Sequence, residues 1–214
     1  MSFPMVTVRS LEHAPDARFP LMAAPGTGRL VTLEPGDGAV STLRVREVAV
    51  RSQLDGHVRE VVHVRRHGSE LMVTDARVVV CSTHVEGRSI VTGHVRYPWL
   101  VAVGGSRADG RHGLDELRLI VQAASGDYAV LTLGFDRHVD WGADVYGLAA
   151  VIADRAGRSW LREHPGADSA RRSEWAATVG ARRKVARPGE FALHWMPEYE
   201  RVPEAATGAL SPAV

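Results

Sequence analysis

Asp136-x-His138-x-Asp140 sets two carboxylates around an imidazole at i, i+2 and i+4. On a strand, alternate residues share a face, so the three groups could converge on a divalent metal. The same residues also make the polar rim of a strand end, with Asp140 as the N-cap of a following helix. That simpler role accounts for all three. His63 with His67, and Cys81 with His84, could act as ligands or as a base and nucleophile. Ten histidines in 214 residues bring such neighbours together by chance. Cys81 lies in an apolar run, where a thiol behaves as a small core residue. The spacings Cys-x-x-Cys, His-Glu-x-x-His and Gly-x-Ser-x-Gly do not occur. Gly26-Thr27-Gly28 and Gly104-Gly105-Ser106 lack the lysine of a phosphate-binding loop and read as turns. The expectation is a chain with no catalytic residue, no metal site and no cofactor.

The densest basic region offers other chemistry. Arg171 and Arg172, then Arg182, Arg183 and Lys184, flank Trp175. Guanidinium and ammonium groups around an aromatic ring can meet the phosphates of lipid head groups or nucleic acid, or an acidic protein surface. A solvated helix pinned by Trp175 and Val179 uses the same residues without any ligand. Its apolar face is too narrow to insert well into a bilayer. A second cluster, Arg59, Arg65, Arg66 and His67, lies near an early strand turn.

The formal net charge is only +1, so the molecule as a whole presents no strong field to nucleic acid or membrane. Any electrostatic partner is met by a local patch. The single cysteine excludes an intramolecular disulfide and suits a reducing compartment. The first twenty residues contain no apolar run of signal-peptide length, and no window approaches a membrane span. A cytoplasmic location is expected. Lys184 is the only lysine among 26 basic residues, a bias expected of a GC-rich bacterial genome.

These groups must be positioned by the rest of the chain. Residues 1–27 carry Pro4, Pro15, Pro20 and Pro25 and read as an extended arm. Pro35-Gly36-Asp37-Gly38 is a turn signal. Leu43 and Val45 alternate with arginines, and then the apolar phase moves to Val48 and Val50, which requires a bulge or break. Gln53 to Gly56 turns the chain into a strand with Val58, Val62 and Val64. Leu71 and Val73, then Val78 and Val80, form two strand faces around a tight turn, Thr74 to Arg77, with Asp75 able to bond its own backbone. Glu86-Gly87 marks the next hairpin. Tyr97-Pro98-Trp99-Leu100 opens a run through Val103, and Gly104 to Gly113 reads as a loop. Leu117 to Ala123 and Ala129 to Phe135 alternate cleanly on either side of Ser125-Gly126-Asp127. The period then changes to helical from Trp141 through Val145, Leu148, Ala149, Ile152 and Ala156, ending near Glu163 before Pro165-Gly166. Residues 167–185 read as a second, weaker helix. The run FALHWMPEY at 191–199 reads as an edge strand, and the last dozen residues as a flexible tail.

The stretch Glu70 to Val80, ELMVTDARVVV, is similar to the apolar strand, Thr-Asn/Asp-x-Arg, apolar strand hairpin of bacterial and GRAM-type pleckstrin-homology-like domains. Val95 to Val103, VRYPWLVAV, resembles the family's next element, a proline before a strand. With the hairpin Leu117–Phe135 and the helix from Asp140, the resemblance covers about residues 58–162. It implies a mainly β fold: a bent antiparallel barrel of about seven strands capped by a C-terminal amphipathic helix. The expected organisation is an arm over 1–27, the barrel and capping helix over 28–164, and a basic helix, aromatic segment and tail over 165–214.

Such a fold hosts many unrelated roles. The preferred reading is a non-catalytic module that binds another protein in a larger assembly, with Arg171, Arg172, Trp175, Arg182, Arg183 and Lys184 as the candidate contact residues. Anionic lipid head groups are the alternative ligand, and a metal-dependent enzyme built on Asp136 and His138 the less favoured one. Nucleic acid is not expected, and a homo-oligomer is compatible with the sequence.

Overall fold

Valine-rich alternation through most of the chain builds a single antiparallel sheet. The computed structural model describes residues 36–38, 41–54, 57–83, 90–110, 113–122, 128–136 and 143–197. Eight strands follow one another as β1 (Ser41–Leu54), β2 (His57–Val73), β3 (Arg77–Thr83), β4 (Ile90–Arg96), β5 (Leu100–Ser106), β6 (Asp115–Gln122), β7 (Tyr128–Phe135) and β8 (Ala192–Trp195). A 3-10 turn at Tyr97–Trp99 separates β4 from β5. Two helices, α1 (Val145–Glu163) and α2 (Ser169–Ala176), lie between β7 and β8. The sheet order is β4-β3-β2-β1-β7-β6-β5-β8. The expected hairpins form two meanders, β1–β4 and β5–β7, joined by the pairing of β1 with β7, and an eighth strand is added beside β5. The FALHWMPEY run supplies that strand, at the end of the sheet as its composition suggested.

The change of apolar phase in β1 is met by a bulge. Val45 pairs with Ser69 but Glu47 pairs with Val64, so residues 65–68 of β2 lie opposite Arg46 alone. The slip restores an inward side chain at Val48, which is 4% exposed. The inner face of the sheet is closed by Val45, Leu71, Val78, Leu117, Leu119, Leu131, Leu133 and Phe135. Val145, Ala149, Ile152, Ala153, Ala156 and Trp160 of α1 pack on them in one continuous core. Helical spacing and strand alternation therefore meet as predicted, the apolar stripe of α1 covering the inner wall.

Three local expectations are corrected. The helix does not begin after Asp140; its first residue is Val145, with Asp144 in the cap position. The Asp144 side chain makes no capping hydrogen bond and instead reaches Arg183 at 3.0 Å. Asp140 and Trp141 lie outside the described residues. The second helix spans only Ser169–Ala176, and residues 181–187 form neither helix nor strand. Gly104 and Gly105 are not in a turn but inside β5, where both are buried. A Cβ at Gly105 would lie 2.7 Å from the carbonyl oxygen of Val145. The glycine is needed because the first turn of α1 rests on the strand backbone there. Finally, Thr74 fastens the β2–β3 turn, a role that the sequence reading did not give it. The Thr74 hydroxyl oxygen accepts from the amides of Ala76 and Arg77 at 3.1 and 3.0 Å.

That turn is held from outside as well. Arg77 donates to Asp37 through Nε and Nη2, the latter at 2.8 Å, and both side chains are almost wholly buried. Thr74 Oγ1 bonds the same carboxylate at 2.7 Å. Tyr97 donates its hydroxyl to the carbonyl of Thr74, and Arg155 of α1 donates to the carbonyl of Val73 at 2.7 Å. The Thr-Asp-x-Arg element thus works as a clamp between the Gly36–Gly38 segment, two strands and the helix. Its polar atoms are satisfied inside a region closed to water. The hairpin at Glu86-Gly87, the arm over 1–27 and the Gly26-Thr27-Gly28 turn lie outside the described residues.

One strand carboxylate gives a pH signature. Burial raises the pKa of Glu116 above the ordinary carboxylate value; Arg118 opposes this and Glu47 reinforces it. The folded chain therefore keeps this proton to a higher pH than the unfolded chain does. Stability contributed by the neutral form is lost as pH rises from the ordinary carboxylate range through the raised value. Glu116→Gln is expected to match wild type near pH 4 and to exceed it in stability near pH 7. Urea denaturation at the two pH values checks this, and a variant that loses ground on going to neutrality would refute it.

Candidate functional site

Among the described residues, the stretch after α2 sets three basic side chains in succession, Arg182, Arg183 and Lys184. Asp168 caps α2 by accepting from the Arg171 amide at 2.8 Å. At the other end the helix is stopped by a turn over Ala177 to Gly180. The turn sits on α1 because Gly157 leaves room for it; a Cβ there would strike the Thr178 hydroxyl and lie 3.1 Å from Val179. Asp154 of α1 accepts from the Gly180 amide at 2.6 Å and from Arg158 Nε at 2.9 Å. Burial resists ionisation of Asp154, but these two bonds outweigh it and hold its pKa below the usual value.

From Ala181 the chain runs as a connector toward β8 and is fastened at intervals. Arg183 Nη2 lies 3.0 Å from Asp144 Oδ1. Lys184 Nζ donates to the carbonyl of Leu193 in β8 at 3.0 Å. Tyr146 donates its hydroxyl to the carbonyl of Ala186 at 3.1 Å, and the Gly189 amide donates to the carbonyl of Arg107 at 2.8 Å. Between connector and strand lies a cleft of about 250 Å³. Arg182, Arg183 and Lys184 form one wall; His194, Trp195 and Met196 form the other; Ala153 of α1 is among the residues beneath. Val185, 67% exposed, stands beside the basic wall.

The six residues picked out from sequence fall into two groups. Arg182, Arg183 and Lys184 are brought together on the cleft. Arg171, Arg172 and Trp175 are engaged elsewhere. Arg171 Nη1 meets Glu174 at 2.8 Å and the Pro197 carbonyl at 3.3 Å, and Arg172 donates to the carbonyl of His164 at 2.8 Å. Trp175 is 1% exposed and stacks on Trp160 with ring centroids 5.1 Å apart and planes 7° from parallel. His164 stacks on the other side of the Trp160 pairing at 4.5 Å. Trp175 is thus a core residue that fixes α2 to α1.

His194 is the cleft residue that sequence reasoning did not single out. Its only signal is position, since alternate residues of the aromatic run face inward. Its side chain is 6% exposed and Nε2 has no hydrogen-bond partner. Burial, with the Lys184 charge as a smaller cause, lowers its pKa, so the ring is neutral at pH 7.

The other sequence candidates stay apart from this cleft. Asp136 follows β7, while His138 and Asp140 lie outside the described residues. Cys81 is on β3, opposite Glu70 and Thr92, and His84 lies outside the described residues. The side chains of Arg59, His63, Arg65, Arg66 and His67 lie outside them too. Among the described residues no three His, Cys, Asp or Glu side chains are arranged to hold a metal ion. No described helix is long and apolar enough to cross a membrane.

Two antiparallel meanders, β1–β4 and β5–β7, joined through β1 and β7 and followed by a helix on the inner wall, are the architecture that the pleckstrin-homology-like resemblance implied. No family model matches the chain, and no curated protein matches it. Among solved structures it is similar to the Vps36 N-terminal PH domain, at 11% identity and a TM-score of 0.42, over 64% of this chain and 92% of that one.

Proposed function

We propose that this protein is a non-catalytic binding module whose partner is another protein, engaged at the cleft between the connector 181–187 and β8. The observation that carries this reading is the gathering of Arg182, Arg183 and Lys184 beside exposed Val185, on a non-helical segment fastened at both ends. A preorganised surface of this kind loses little conformational entropy on binding. Cations next to a small apolar side chain suit an acidic partner segment. Trp175, the ring that the sequence set among the basic residues, is buried and so is not available to insert into a lipid surface.

The test is capture from the native host with wild type and with Arg182→Glu. Arg182 makes no hydrogen bond or ion pair among the described residues, so charge reversal there leaves the fold intact. A protein retained by wild type and lost by the variant is expected. Flotation of wild type with anionic vesicles, abolished by salt, together with no captured protein, would replace this reading with the lipid one.

A further inference from the structure

The connector uses its basic residues unequally. Arg183 is answered by Asp144 at 3.0 Å, and Lys184 holds the Leu193 carbonyl at 3.0 Å. Asp154, near the turn that starts the connector, is already paired with Arg158 at 2.9 Å. Arg182 has neither an ion-pair nor a hydrogen-bond partner among the described residues, yet it lines the same cleft as the buried, unpartnered His194. Three cations are crowded along one wall with a single carboxylate to answer them. That leaves two formal positive charges, and repulsion between like charges goes unrewarded unless an anion enters.

We infer that this cleft receives a doubly charged phosphoryl group carried on a serine or threonine of the partner polypeptide. The inference rests on the protein-binding reading above and specifies its chemistry. A phosphate ester carries about −1.5 to −2 charges at pH 7 and three acceptor oxygens, which matches two unanswered cations better than a single carboxylate does. Arg182 supplies a planar set of donors suited to bidentate contact with phosphate. Lys184 can turn spare ammonium hydrogens to the same group while keeping its carbonyl. Neutral His194 offers a ring N–H at the far wall. The connector lines the cleft from Ala181 to Lys184, so a peptide can lie beside it with its phosphorylated side chain directed inward.

The experiment titrates the full chain with capped Gly-Gly-pSer-Gly-Gly, with the same peptide carrying serine or glutamate, with inorganic phosphate, and with phosphatidylglycerol vesicles. Amide chemical shifts report the site. The phosphopeptide is expected to shift amides of 177–184 and 192–196 saturably. The glutamate peptide should bind at least about tenfold more weakly, the serine peptide should give no shift, and inorganic phosphate should move the same amides more weakly. Arg182→Gln should weaken phosphopeptide binding roughly ten- to a hundredfold. Arg162→Gln, which removes an exposed charge outside the cleft, should not. Equal weakening by both variants, shifts elsewhere, or cleft shifts with vesicles but not phosphopeptide would overturn the inference. Phosphatase treatment of the captured partner separates the two levels. Loss of Arg182-dependent capture supports the inference, and capture that persists overturns it while leaving the protein-binding reading intact.

Discussion

Replacing Asp37 with alanine will cost about 3–5 kcal/mol of folding stability, the largest effect expected of any single substitution in this chain. The arginine left behind explains the size. Arg77 is 5% exposed and directs Nε and Nη2 at the two oxygens of one carboxylate. Remove that carboxylate and a guanidinium remains in a region closed to water with its principal counter-charge gone. Thr74 loses a bond from the same change, and with it one tie holding the β2–β3 turn. The double variant Asp37→Ala with Arg77→Met should recover much of the loss, because it removes the stranded charge along with its partner. Urea midpoints of the wild type, both single variants and the double variant complete a thermodynamic cycle. A cost below about 1 kcal/mol for Asp37→Ala would mean that the pair is solvated in solution.

Gly105→Val is expected to cost roughly 3 kcal/mol, through contact between backbones and not through charge. A Cβ at this position meets the carbonyl oxygen and carbon of Val145 at 2.7 and 2.8 Å and the Tyr146 amide nitrogen at 3.0 Å. None of these atoms belongs to a flexible side chain, so α1 must lift from β5 to admit a branched residue. Lifting α1 would unseat Tyr146, whose hydroxyl holds the connector at Ala186, and with it Asp144, which pairs with Arg183. The substitution should therefore loosen the cleft as well as the core. Gly166→Ala is the control, since a Cβ there meets nothing within 4 Å and should change stability by no more than about 0.5 kcal/mol. Equal midpoints for the two variants would show that the helix does not rest on β5.

Much of this architecture could be read from residue classes. Leu117 to Phe135 alternates because one face of each strand is buried, and the same residues form the core. The phase change between Val45 and Val48 demanded a bulge, and one is present. What escaped was tertiary in origin. Asp37 and Arg77 are 40 positions apart, and nothing local marks them as a pair. Gly104-Gly105 has the composition of a turn, and only the close approach of β8 and α1 explains its place inside a strand. Residues 177–185 have enough alanine and arginine to suggest a helix, but the bonds from Asp154, Asp144 and Leu193 hold this stretch in a turn and a non-helical connector. The same competition moved Asp144 from capping to pairing.

The site followed the same division. Arg182, Arg183 and Lys184 were visible as a cluster, whereas the burial of Trp175 against Trp160 required the fold. His194 could be found only once β8 was laid beside β5.

The most direct measurement is hydrogen–deuterium exchange on the full chain, with and without the protein captured from its host. The account predicts slowed exchange in the partner-bound state at residues 177–187 and 192–196, with the β2–β3 turn unchanged. Protection confined to the turns of β1 through β4, with the connector exchanging as in the free chain, would contradict it.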